Sequence, residues 1–113
     1  MLEIAVKAAD SKRAEDIMAL EVKEISLLAD YFLICSANTD RQISAIVDAI
    51  IEEEQKAKVQ IRRVEGKDGG KWILIDLGDV IVHVFSTSER AFYNLEKLWS
   101  DAPLVAISDW IDE

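Results

Sequence analysis

Leu2, Ala5, Val6 and Ala9 recur at the i, i+3, i+4, i+7 spacing of one helical face, with Glu3, Lys7 and Asp10 turned the other way. A first helix that covers an apolar surface is predicted there. The run IMALEV, from Ile17 to Val22, does not settle its own period and is read as a strand. Lys23 to Ala29 connects it to DYFLICS, opened by Asp30, which is dense enough in aromatic and aliphatic residues for a strand buried on both faces. The two runs together point to a sheet interior. Thr39-Asp40-Arg41-Gln42 matches a capping box, in which Thr39 accepts from the third helical N–H, Gln42 reaches back and Asp40 complements the helix dipole. The helix it opens carries Ile43, Ile46, Val47, Ile50 and Ile51 inward and ends in a solvated group of Glu52, Glu53, Glu54, Lys56 and Lys58. Val59 to Val64 alternates like a strand, and its exposed Arg62 and Arg63 suit a sheet edge. Glu65 to Gly70 is a polar turn.

The stretch KWILIDLGDVIVHVFS, from Lys71 to Ser86, reads as a β-hairpin closed by Gly78-Asp79, since Gly at the first central position suits a type II′ turn. That turn fixes the register and sets Leu77 opposite Val80, Ile75 opposite Val82 and Ile73 opposite Val84, a wholly aliphatic core face. The other face carries Trp72 opposite Phe85, Leu74 opposite His83 and Asp76 opposite Ile81. Ser86 and Glu89 form a second capping box, opening a helix with Phe92, Leu95 and Trp99 inward and Ala91 and Leu98 on its flanks, ended by Asp101-Ala102-Pro103. In the tail, Ile107, Trp110 and Ile111 keep helical spacing. The order α-β-β-α-β-β-β-α predicts an α/β (α+β) sandwich, a mixed five-stranded sheet with helices packed on it, as a single domain over residues 1–113.

Composition narrows the function more than the fold. The net charge of −9 opposes direct binding to phosphate backbones and favours a basic partner, most simply a basic protein surface. No apolar run approaches the roughly 20 residues of a membrane helix, and the first residues do not read as a signal or transit peptide, so a cytoplasmic location is expected. Cys35 is the only cysteine and sits in an apolar run, as a buried, inert thiol would. One Cys and one His make a dedicated zinc site improbable.

Asp30, Asp76 and Asp79 could in principle hold a divalent ion as nucleotidyltransferase carboxylates do, but the acidic-x-acidic pair of such enzymes appears only as Glu52 and Glu54 on a helix end. Neither a metal nor a cofactor is expected. The mixed hairpin face has two readings: a second core layer covered by a helix, or a binding face with Trp72 beside Phe85 as an anchor and Asp76 as a charge. Arg90 either pairs with a carboxylate such as Asp76 or joins Tyr93 on a binding rim. Arg62, Arg63 and Lys67 form the only local basic cluster along the chain, read as a solvated edge or as a peripheral contact to RNA.

With Asp30-Tyr31-Phe32, Arg41-Gln42, the hairpin residues Trp72, Asp76, His83 and Phe85, and RAFYNLEKLW from Arg90 to Trp99, the chain resembles the Iojap or ribosomal silencing factor family over nearly its whole length. The resemblance implies a nucleotidyltransferase-like fold without that activity. It also implies a translation regulator that binds ribosomal protein fourteen of the large ribosomal subunit and bars the small subunit; several members look like homodimers when free, an expectation carried to this chain. On that view Trp72, Leu74, Asp76, Ile81, His83, Phe85, Arg90 and Tyr93 make the partner-binding face. The other readings are a protein-interaction module with a non-ribosomal partner, and a metal-dependent nucleotidyltransferase.

Overall fold

The hydrophobic pattern resolves into one sheet with a layer on each side. The computed structural model describes residues 1–27, 29–67 and 69–111. Helix α1 (Leu2–Ser11) and helix α2 (Asp40–Lys56) lie on one face of the sheet, and their buried Leu2, Ala5, Val6, Ile43, Ile46, Val47 and Ile50 share one core with it. The strands are β1 (Glu15–Glu21), β2 (Tyr31–Ala37), β3 (Arg63–Glu65), β4 (Trp72–Asp76) and β5 (Val80–Ser86), in the spatial order β1-β2-β5-β4-β3. Among the described residues, β2 and β5 pair in parallel and the other three strand pairings are antiparallel.

Strand periodicity explains both layers. Leu33, Cys35 and Ala37 of β2, with Val80, Val82 and Val84 of β5, face the two helices. Phe32 and Ile34, with Ile81 and Phe85, face the opposite way into a second core. Each fully buried Ile or Leu contributes roughly 1.5–3 kcal/mol. The hairpin register is the one its turn predicts: Ile73 pairs with Val84 and Ile75 with Val82, Leu77 donates its N–H to the Val80 carbonyl (2.9 Å), and Gly78 supplies the positive φ of +98°. Cys35 is buried, and desolvation pushes its thiol up to about 12.

Five expectations change. First, β1 is an edge strand, and the tail covers that edge: Val105 donates to the Ala19 carbonyl (2.9 Å) and Glu21 to that of Pro103 (2.9 Å), on either side of a Leu20–Leu104 bridge. The tail then drops Ile107 into the first core, with Trp110 and Ile111 packed beside it. Second, β3 keeps only Arg63–Glu65: Lys58 turns at φ +65° and Val59 still donates back to the Glu54 carbonyl (2.9 Å), so the chain first reaches β4 where the Arg62 N–H meets the Asp76 carbonyl (2.8 Å). Third, Gln42 does not complete the capping box. Thr39 Oγ1 accepts from the Gln42 N–H (3.1 Å), but the Gln42 amide donates to the carbonyls of Lys12 (3.3 Å) and Arg13 (2.9 Å), tying α2 to the start of β1. Fourth, Glu54 is buried rather than solvated, with no hydrogen-bond partner for either carboxylate oxygen.

The fifth change matters for function. The helix predicted from Ser86 onward is two, α3 (Thr87–Tyr93) and α4 (Leu95–Leu98), because Asn94 takes the left-handed conformation at φ +49°. Asn tolerates that conformation better than other non-glycine residues. The break rotates the helical stripe, so Leu95 stays buried while Phe92 turns to solvent.

Candidate partner-binding face

The mixed face of the hairpin meets α3, α4 and Ala102, and from there it rises to the surface in steps. Phe85 is fully buried, and Ile81, His83 and Arg90 are buried around it. Trp72, Leu74 and Asp76 are half-buried, and Tyr93 is 49% exposed. The face is therefore layered by depth. The four buried residues support the face from beneath, whereas Trp72, Leu74, Asp76 and Tyr93 reach solvent.

The step upward is a chain of rings. Trp72 stacks on Phe85 (centroids 4.8 Å apart, planes 27° apart), Tyr93 lies 4.8 Å from Trp72, and Phe92 sits edge-on to Tyr93 at 5.2 Å. Phe92 and Leu98 are 80% and 75% exposed. Sequence reasoning set Phe92 inside and Leu98 on a flank; the signal that could have found them is Asn94, a poor helix-interior residue at the point where the apolar spacing would have to be re-phased. A half-sunk aromatic flanked by exposed ones fits an anchor that a partner can desolvate.

His83 locks the anchor. Trp72 Nε1–H donates to His83 Nδ1 (3.2 Å), and since an indole nitrogen only donates, Nδ1 must be the unprotonated nitrogen and Nε2 carries the hydrogen. Nε2 finds no protein partner, and the Phe32 and His83 rings pack edge to face with centroids 5.1 Å apart and planes 78° apart. Burial lowers the imidazole from 6.5 to about 4, so it is neutral at physiological pH.

The charged candidates are committed elsewhere. Asp76 Oδ1 accepts from the Gly78 N–H (2.9 Å), closing the hairpin turn, while Oδ2 is 3.8 Å from Arg63 Nη2. Arg90 does not reach Asp76; it donates to the Glu15 carbonyl (3.4 Å) and to Ser36 Oγ (3.2 Å), where β1 bulges away from β2. The Asp79 carbonyl accepts from the N–H groups of Asp30 (2.8 Å) and Tyr31 (3.0 Å), so those two aspartates join the hairpin tip to β2. Among the described residues, no three His, Cys, Asp or Glu side chains are placed to hold a metal ion. The basic cluster is also divided: Arg62 lies over Gly78 at one end of the sheet, Arg63 faces Glu65 and Asp76, and Lys67 follows the far end of β3.

The family described as "Ribosomal silencing factor during starvation" matches residues 1–113. Ribosomal silencing factor RsfS of Bacillus subtilis (strain 168) is 55% identical over 104 residues, spanning 92% of this chain and 88% of that protein. A crystal structure of a protein from Bacillus halodurans superposes with a TM-score of 0.82 at 50% identity, covering 93% of this chain and 95% of that one. More distantly, the mouse protein named "Mitochondrial assembly of ribosomal large subunit protein 1" is 28% identical over 88% of this chain, which spans 45% of that longer protein. With a full-length family match and relatives of this similarity, the chain belongs to the ribosomal silencing factor family.

Proposed function

We propose that this protein represses translation by occupancy: it binds the large ribosomal subunit through ribosomal protein fourteen and sterically keeps the small subunit from joining. The observation that carries the reading is the ring chain Phe85–Trp72–Tyr93–Phe92, which runs from the second core to an exposed edge. The names of the relatives point to ribosome silencing and large-subunit assembly, and a chain of net charge −9 suits a basic ribosomal protein. Binding does the work on this reading, and no group is assigned a catalytic role.

Co-sedimentation with isolated large subunits tests it. The wild-type protein is expected to pellet with the subunits at micromolar concentration, and Phe92→Ala/Tyr93→Ala should weaken binding by about 30-fold or more, the effect of losing a hot spot worth roughly 2 kcal/mol. Because both side chains are exposed, the melting temperature should stay within a few degrees. Unchanged affinity in the double variant would remove this face from the reading. Trp72→Ala is a poorer probe, since Trp72 stacks on Phe85 and bonds His83 and its loss disturbs the core too.

A further inference from the structure

The thirteen cations of this acidic chain are not scattered evenly. Lys7, Lys23, Lys56 and Arg63 stand within 4 Å of a carboxylate, at 2.8 Å from Glu3, 3.6 Å from Glu21, 3.0 Å from Glu53 and 3.7 Å from Glu65 respectively. Among the described residues, eight others are exposed and make no such pair: Lys58, Arg62 and Lys97, which lie apart, and Lys12, Arg13, Arg41, Lys67 and Lys71. The last five, distant in sequence, come together at one rim of the sheet, where the parallel strands β2 and β5 end.

Four contacts assemble that rim. The Gln42 side chain holds the carbonyls of Lys12 and Arg13 next to Arg41, at the start of α2. Gly70 sits against Asp40, bringing the loop after β3 to the same helix end. The Lys71 carbonyl accepts from the Ser86 N–H (2.7 Å), and Thr87 Oγ1 donates to Asn38 Oδ1 (2.6 Å), which fixes the end of β5 beside the end of β2. Among the described residues, four carboxylates share this rim: Asp40 and Glu89, each in the first turn of a helix where it complements the dipole, Glu15, whose Oε1 accepts from Asn38 Nδ2 (3.2 Å), and the exposed Asp16. Lys71 directly precedes Trp72, so the rim borders the aromatic face.

We infer that this rim is an RNA contact, with Lys12, Arg13, Arg41, Lys67 and Lys71 lying along the phosphates of ribosomal RNA while the aromatic face meets protein. The inference rests on the ribosomal reading above and adds a second kind of partner to it. A chain of net charge −9 is repelled by RNA as a whole, so contact requires several unpaired cations to be grouped and facing outward, as these five are. The same rim places the RNA contact away from Arg62 and Arg63, where the linear sequence had gathered its basic residues.

The test is the salt dependence of binding to isolated large subunits. A variant carrying Lys12→Gln, Arg13→Asn, Arg41→Gln, Lys67→Gln and Lys71→Gln is compared with a Lys7→Gln/Lys56→Gln control; Asn at position 13 tolerates its φ of +62°. At about 0.7–0.9 per lost phosphate contact, the slope of log K against log salt should fall by roughly 3.5–4.5 in the rim variant if all five cations touch phosphate and by nothing in the control, with affinity near 0.1 M salt reduced about tenfold or more. Ultraviolet cross-linking of wild type should join peptides around Arg41 or Trp72 to ribosomal RNA. Wild-type binding with an unchanged slope in the rim variant overturns the inference alone. A changed slope without RNA cross-links assigns the rim to an acidic protein and overturns it as well. Absence of wild-type binding at every salt concentration overturns the ribosomal reading and this inference together.

Discussion

His83 shows how a single buried side chain sets the geometry of a surface. Its unprotonated Nδ1 is the acceptor that fixes the Trp72 ring, so a proton on that nitrogen breaks the lock. The sign of the pH effect follows from the lowered value: the unfolded chain takes up a proton near 6.5 and the folded one only near 4. Stability from this group is therefore full above pH 6.5 and falls progressively as pH drops toward 4, by up to about 3 kcal/mol at 1.36 kcal/mol per pH unit. Urea unfolding at pH 7, 5.5 and 4.5 should show the gap between wild type and His83→Leu closing as the medium acidifies. At pH 7 the variant should be less stable by about 1 kcal/mol for the lost hydrogen bond, plus whatever repacking costs. Parallel curves for the two proteins would mean that His83 does not titrate in this window.

At the scale of elements, most of the fold was legible and the exceptions share a cause. Strand alternation and helical stripes report which face is buried, and they located α1, β2, α2 and the hairpin register. They do not report backbone conformations that depend on one residue. Asn94 in the left-handed region re-aimed Phe92, and Lys58 in the same region shortened β3. Of the candidate face, periodicity found Trp72, Leu74 and Tyr93 but could not separate them from the buried Phe85 and Ile81, since depth depends on where α3 and α4 come to rest. Gly66 offers a test of such single-residue control. Its φ is +91°, and a Cβ there would run into the Trp72 carbonyl oxygen, a backbone atom that cannot swing aside. Gly66→Ala should therefore destabilise by about 2 kcal/mol or more and disturb the start of β4, where the Trp72 anchor sits. A thermal melt unchanged within about 2 °C would show that the loop relaxes instead.

For the molecule as a whole, two buried titrating groups in opposite layers oppose each other. Burial raises Glu54, on the α2 side, from 4.5 to about 7, while the positive charge of the Met1 amino group tempers the rise. The folded state therefore prefers it protonated, and its contribution is full below pH 4.5 and lost as pH rises through 7. His83 gains stability over nearly the same interval, so the measured pH profile of the protein should look flatter than either group alone. Glu54→Gln keeps the shape and removes the titration. It should raise stability at pH 8 by about 1–2 kcal/mol and expose a steep acid slope between pH 6.5 and 4.5. Equal stability of variant and wild type at pH 8 would show that Glu54 ionises without cost.

The strap from Pro103 to Val105 that closes the edge of β1 also sets an order of events during synthesis. Among the described residues, the five strands and the two long helices are encoded by residues 2–86, so the sheet and its helical layer, short of the tail's Ile107, can form while the rest of the chain is still being made. The cover for Phe32, Ile34, Ile81 and Phe85, and the seal on β1, come from segments translated afterwards. Until they emerge, the nascent protein presents an apolar sheet face and an unpaired strand edge, the two features most prone to pairing with another chain. A stall or a premature stop between Ser86 and Pro103 would therefore release a folded but adhesive intermediate, a substrate for chaperones rather than an inert fragment.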